Sequence, residues 1–393
     1  LVLHNYMDFD DLKDYVKISY ELTQDGLVIS KGKLPEVSAA PHSEGKINLK
    51  INVPESGKCY LKFIYHLKKE LPLLDEDHIL GFDEIEVSQK DAKCQLAEKW
   101  VEKTVTDSEL QVSEDDTQIH IKGREFAYTI DRRTALFTEM KFAGREYLNH
   151  PMELNIWRAP TDNDMYIKSE WKKAHYDKAY TRAYTTEVVQ GKHGVKITSH
   201  ASVVAETVQK ILDVTITWKI EAAGKIDADI AVTKDDEFPD LPRFGVRMFL
   251  DKKLSAVRYF GMGPQESYCD KHQAASHGLY RADVGDLHED YIRPQENGSH
   301  YDCEYVELNN SRYGIVASAE NAFSFNASYY TQEELEKKTH NYELTESDSV
   351  VFCVDYALNG IGSNSCGPVV LEQYRFDDVL FRFQFTLIPY VKG

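Results

Sequence analysis

Several chemical signatures are missing from this chain of 393 residues. Its six cysteines (Cys59, Cys94, Cys269, Cys303, Cys353 and Cys366) form no CxxC pair, which argues against a zinc ribbon. There is no P-loop, no GxGxxG, no GxSxG and no protein-kinase motif set, so nucleotide-cofactor chemistry and a nucleophile-elbow serine are not indicated. Positive charge is short: 46 Lys and Arg stand against 65 Asp and Glu, a net charge of −19. That balance disfavours a nucleic-acid partner or an anionic membrane and is compatible with a neutral ligand such as a sugar. No apolar run is long enough to span a bilayer and no stretch has a secretory-leader pattern. Together with scattered cysteines, this leads us to expect a cytoplasmic protein with reduced thiols, although an even count leaves disulfides open.

What is present favours sheets. Aromatics make up 11% of the chain, with 24 Tyr and 17 Phe, and β-branched residues are frequent. An apolar fraction of 42% suits a globular core, and the length suggests two or more domains. The chain opens on Leu1-Val2-Leu3, which reads as the middle of a strand. A piece of a longer polypeptide, or a processed subunit, is therefore expected.

Residues 1–88 read as a small β-sandwich of about five strands. Tyr15–Leu22 alternates, Asp25-Gly26 turns, Leu27–Ile29 returns, and Ile47–Val53 and Cys59–His66 alternate again. Residues 89–115 are charged and weakly patterned, a linker or one more solvated edge strand. Alternation resumes at Thr117 and is clearest between residues 183 and 234. There Val214, Ile216, Trp218 and Ile220 alternate with polar residues, Gly224 turns, and Ile226, Ala228, Ile230 and Val232 follow. Tyr313–Ala319, Phe323–Ala327 and Leu380–Pro389 continue the pattern. Helical spacing appears over Ile167–Ala179, and Thr331-x-x-Glu334 forms a capping-box pattern.

Three irregular stretches could carry function. Phe260–Glu307 reads as a long polar loop with two Pro-Gln-Glu triplets, Pro264–Glu266 and Pro294–Glu296, and with His272, His277, His288 and His300. Glu266 and Glu296 could be a carboxylate pair for sugar chemistry, or buttresses that cap turn amides. Asn155–Asp164 (NIWRAPTDND) could offer oxygen ligands to calcium, or bond its own backbone. Gly360–Pro368 (GIGSNSCGP) has glycines that imply positive φ and close backbone approach. Cys366 in that loop has no base beside it in sequence to make it a nucleophile, and no metal site is expected in this chain.

RAPTDND, GMGPQESYCDK, RPQENGSHYDCEYVEL, FNASYYTQEELEKKTH and GIGSNSCGP occur in this order. The set resembles the C-terminal region of β-galactosidases of glycoside hydrolase family 2, and residues 1–88 are similar to the domain that precedes it there. The resemblance implies an all-β fold: an immunoglobulin-like sandwich at 1–88, truncated at its start, a linker at 89–115, and at 116–393 a large antiparallel supersandwich similar to galactose mutarotases. It implies retaining hydrolysis of terminal β-D-galactosides such as lactose. It also places the two catalytic glutamates, and magnesium with sodium as a second ion, on a TIM barrel for which this chain has no pattern. No catalytic residue and no cofactor is then expected in this chain, and alone it should be inactive. Glu266 and Glu296 become structural. Ser363, Asn364, Ser365 and Cys366 become a wall loop beside the aglycone, where a well-known bacterial member has a tryptophan and a loop one residue longer. Implied partners are the barrel portion, a β-galactoside and further copies of the enzyme, with no nucleic acid or membrane. An apolar surface is expected near this loop and the 260–307 segment. The alternatives are a free-standing carbohydrate-binding or mutarotase-like module, and a purely structural assembly domain.

Overall fold

A computed structural model describes residues 1–90, 92–96, 99 and 110–392. It is built almost wholly of antiparallel strands and divides into two compact units. The first is Leu1–Leu96 with the short stretch His277–Leu279, and the second comprises the rest.

In the first unit a four-stranded sheet runs in the order Leu27–Lys33, Val16–Gln24, Cys59–Leu67, Ile79–Glu86. A two-stranded ribbon joins Val2–His4 to Glu44–Lys46. The Asp25-Gly26 turn has positive φ at both residues, 48° and 79°, as a tight hairpin with right-handed strand twist requires. Leu3, Ile18, Leu22, Ile47, Leu61 and Phe63 form the core. One expectation fails here. Ile47–Val53 alternates between inward and outward residues but is not a strand among the described residues. Leu49 and Ile51 pack on the core without joining a ladder, because alternation reports which face is dry and not whether the backbone is paired.

In the second unit a five-stranded sheet runs in the order Arg145–Glu146, Leu136–Phe142, Phe126–Asp131, Gln118–Lys122, Gln111–Glu114. Its outer strand, Gln111–Glu114, lies within the stretch read as a linker, and residues 91, 97, 98 and 100–109 of that stretch lie outside the described residues. A larger sheet has twelve strands. Its main path is Leu148–Asn155, Arg243–Asp251, Ser349–Leu358, Tyr313–Ser328, Leu380–Val391, Ile226–Lys234, Leu212–Glu221, Gly194–Val204 and Tyr180–Gln190. The hairpin Leu212–Glu221/Ile226–Lys234 stands as read, with Gly224 at φ 91°. The two runs at 313–319 and 323–327 are one continuous strand, Tyr313–Ser328. Its first part pairs with Leu380–Val391 and its last part with Ser349–Leu358. Its other side pairs with Ser299–Asn309, which pairs in turn with Ala256–Gly263.

The 260–307 stretch is therefore not one long loop. It holds the end of the Ala256–Gly263 strand, a further strand at Ser276–Asp283 and the start of Ser299–Asn309. The helix read at Ile167–Ala179 is also shorter. It spans Ile167–Lys173, His175 sits in the left-handed region at φ 56°, and Tyr176–Lys178 adds a single 3₁₀ turn. A residue in that conformation ends the helix, because successive i→i−4 bonds need φ near −60°. At Gln332–Lys337 half of the capping box forms: Thr331 accepts from the Glu334 amide at 3.1 Å, while Glu334 accepts from the Thr345 amide instead. The core of this unit includes Trp171, Trp218, Tyr128 and Phe137; the Trp218 indole donates to the Ala135 carbonyl at 2.8 Å.

Candidate functional site

The three irregular stretches meet over a buried set of charges. Arg158, just past the Leu148–Asn155 strand, is fully buried and grips Asp164 with two donors, at 3.1 and 2.7 Å. Asp164 also accepts from the Thr161 amide at 2.9 Å, which closes the Asp162–Asp164 3₁₀ turn. The Asp-Asn-Asp run thus bonds its own backbone and a guanidinium. Arg158 donates further to the carbonyls of Asn359 and Gly360, the latter at 3.1 Å. Behind it, Arg243 holds Asp355 at 3.2 and 2.6 Å and Glu296 at 3.2 Å, all three buried. Arg243 and Asp355 lie on adjacent strands of the large sheet, with Arg243 opposite Leu358 and Asp355 opposite Gly245.

Glu296 and Glu266 share a tripeptide but not an environment. Burial raises the Glu296 carboxyl above its ordinary value, against the pull of Arg243 and Arg158. Its backbone amide donates to the Ala159 carbonyl at 3.0 Å, and its carboxylate is held by the Arg243 guanidinium at 3.2 Å, with a backbone hydrogen bond at Ala159 as a smaller favourable influence. Burial also opposes ionisation of Glu266, yet Lys271, Tyr291 and the Gly298 amide together hold its carboxyl below the usual range. The Gly298 amide donates to it at 2.9 Å and the Tyr268 hydroxyl at 3.2 Å. Both glutamates line a polar cavity of about 270 Å³, with Asp162, Asn163, Lys271 and Ile361 also in its wall. Asp162 and Gln295 exchange two hydrogen bonds at its edge, at 3.0 and 3.2 Å.

The Gly360–Pro368 loop starts at this cavity. Ile361 is buried, whereas Ser363, Ser365 and Cys366 are exposed and Asn364 is half-buried. Gly362 has φ 65°; Gly360 and Gly367 serve close approach instead, since a Cβ on either would come within 3 Å of Asp270 or Ser363. Val369 and Leu371 are exposed just beyond the loop, and Ile292 within the 260–307 segment.

None of the four histidines lines this cavity. His272 bonds the Tyr268 carbonyl at 3.0 Å, and His300 lies buried against Tyr259 and Phe325, its pKa lowered to about 4 by burial. The six cysteines carry no disulfide. Cys366 is exposed, and burial pushes the Cys269 thiol up to about 11. Among the described residues no group of three His, Cys, Asp or Glu side chains is placed to hold a metal ion, and no helix is long and apolar enough to cross a membrane.

The residues that the sequence did not single out are Arg243, Asp355, Asp270, Lys271 and Tyr291. Arg243 and Asp355 sit on strands that are buried almost throughout, and such strands show no alternation to flag a charge.

Comparison with known proteins agrees with the order of the motifs. Residues 122–387 match the model of the β-galactosidase small chain, and residues 1–88 that of β-galactosidase domain 4. A β-galactosidase of Actinobacillus pleuropneumoniae is 42% identical over 390 residues, covering 99% of this chain. One of Staphylococcus xylosus is 31% identical over 392 residues, covering 98%. The chain spans 38% of the length of each of these two relatives. Among solved structures, galactose 1-epimerase from Lactobacillus acidophilus NCFM aligns with 74% of this chain and 100% of its own, at 9% identity and a TM-score of 0.38. With more than half of its residues matched by that model, this chain belongs to the β-galactosidase small-chain family.

Proposed function

We propose that this chain serves as the small-chain portion of a β-galactosidase that hydrolyses terminal β-D-galactosides, lactose among them, with retention. The two catalytic glutamates stand elsewhere in the enzyme, on a barrel portion. In this reading Glu266 and Glu296 are structural: a carboxylate that already binds Lys271, Tyr268, Tyr291 and Gly298 is an anchor, and one buried in an ion pair with Arg243 is committed to that guanidinium. Magnesium and sodium belong on the barrel portion as well.

One observation carries the reading. The Gly360–Pro368 loop is bound at its base by two other motifs, through Arg158 and Asn163 of one and Asp270 of the other, and presents Ser363, Ser365 and Cys366 outward. A fixed base with a small polar tip suits a wall against the aglycone, where hydroxyls and an amide replace an aromatic stacking surface. The exposed Val369, Leu371 and Ile292 supply apolar surface for the barrel portion to cover.

The test is hydrolysis of a chromogenic β-galactoside by the chain alone and after mixing with the barrel-containing remainder. Activity on mixing and none alone is expected. Hydrolysis by the chain alone would return Glu266 and Glu296 as the catalytic pair, and anomerisation of α-D-galactose by the chain alone would favour a mutarotase-like module.

A further inference from the structure

Within itself the tip of the wall loop has two turn bonds, from the Cys366 amide at 3.3 Å and the Gly367 amide at 2.7 Å, both to the Ser363 carbonyl, and a long contact from the Ser365 hydroxyl to the Cys366 sulfur at 4.0 Å. Those bonds shape the tip but do not say where it points. At its base the loop is bound by side chains from motifs far away in sequence: Arg158 donates to the Gly360 carbonyl at 3.1 Å, and Asp270 and Asn163 reach the residues that lead into the tip. The Asp270 carboxylate accepts from the consecutive amides of Ile361, at 2.9 Å, and Gly362, at 2.7 Å. Two successive N–H groups converging on one anion make a concave backbone nest, here filled by the protein's own carboxylate. Gly362, at φ 65°, gives the nest its turn, and Gly360 passes so close that a Cβ there would meet Asp270 Oδ2 at 2.9 Å. Asn163 then braces the loop nearer its tip. Its side-chain amide donates to the Gly362 carbonyl at 2.7 Å, and its Oδ1 accepts from the Ser365 amide at 3.3 Å. Asn163 is itself fixed between Asp162, tied to Gln295, and Asp164, gripped by Arg158.

We infer that Asp270 and Asn163 are positioning residues that fix the direction of the wall loop and thereby set affinity for the aglycone side of a β-galactoside. This rests on the functional reading above. A hydrogen-bonding wall is useful only when held in register with its ligand, and misplacement by about an ångström is expensive. The wall touches the aglycone before and during reaction alike, so loosening it weakens uniform binding: KM rises and kcat stays.

The experiment has two arms. In the first, the chain as it stands carries a nitroxide on Cys366, the exposed thiol; Cys59, Cys94, Cys303 and Cys353 are buried and Cys269 is half-buried. Asp270→Asn and Asn163→Ala are compared with the parent, with tryptophan emission checking the fold. Exchange of the Ile361 and Gly362 amides is expected to speed up about tenfold or more in Asp270→Asn, as loss of a charge-assisted hydrogen bond implies. The label is expected to move more freely in both variants. Unchanged exchange and unchanged label motion in both would overturn the clamp. The second arm uses the enzyme assembled with its barrel portion. Each variant should raise KM for lactose roughly tenfold, with kcat within about twofold. A loosened loop with unaltered KM overturns the role in affinity. If the unaltered mixture is inactive, the functional reading fails and takes the aglycone role with it, while the first arm still decides the clamp.

Discussion

The two Pro-Gln-Glu triplets place the same side chain in two different solvents. Glu296 lies in a dry layer with Arg243, Asp355, Arg158 and Asp164, where three carboxylates share two guanidiniums. Glu266 has an ammonium, two phenols and a backbone amide around it. In the first, desolvation wins and the carboxyl is raised; in the second, hydrogen bonding and Lys271 win and it is lowered. A tripeptide repeated 30 residues apart therefore says nothing about the state of its acid. The count of donors against the dryness of the pocket decides it.

The contrast is broken most forcefully at Arg243. Arg243→Met should leave Glu296 and Asp355 buried without their shared cation, a loss of about 3–5 kcal/mol. Urea unfolding followed by tryptophan emission would show it, since Trp157, Trp171 and Trp218 all report on the second unit. A loss below about 1 kcal/mol would mean that the dry layer is held by packing, not by the ions.

Glu266→Gln sharpens the other side. It keeps the shape but weakens the Lys271 and Gly298 bonds, with an expected loss of about 1.5–3 kcal/mol at neutral pH. A lowered folded-state pKa adds stability that is present above the unfolded value and disappears as pH falls through the folded value. The gap between parent and Glu266→Gln should accordingly close in acid. A gap that stays constant from pH 7 to pH 3 would contradict the lowered value.

Glu296→Gln should behave in the opposite sense. Because its carboxyl is raised, the parent is penalised for holding the charge at high pH and gains stability, relative to the variant, as pH falls through the raised value. Parallel pH profiles for the two glutamine variants would remove the contrast altogether. The smallest effect belongs to the wall loop. Gly362→Ala forces a side chain to φ 65° and sets a Cβ 2.6 Å from Val370 Cγ2, at a cost of about 1–2 kcal/mol. A neutral result in thermal unfolding would show that the loop base shifts to accept it.

Much of the fold was legible in the chain, and the exceptions have causes. The hairpin around Gly224 showed itself because one face is wet and one is dry. Ser349–Leu358 and Arg243–Asp251 did not, because water reaches almost none of either strand and their residues run apolar on both sides. Those two strands carry Asp355 and Arg243, so the layer beneath the site was hidden for the same reason. The glycines of the wall loop announced close approach, and Gly360 and Gly362 bear that out. The partners that the approach serves, Asp270 and Asn163, could not be read, because 90 and 199 residues separate them from Gly360 and Gly362 and spacing of that length encodes no distance.

The strand Leu380–Val391 lies inside the large sheet, between Tyr313–Ser328 and Ile226–Lys234. During synthesis, then, the sheet cannot zip up from one end. Its two halves wait with open edges until this strand, which follows every other strand of the sheet in chain order, seals them together. Pairings so remote in sequence fold slowly and leave unpaired strands exposed while they wait. A cell making this chain in quantity should find its losses in aggregates formed before that last strand arrives, and slower translation or lower temperature should recover more of it.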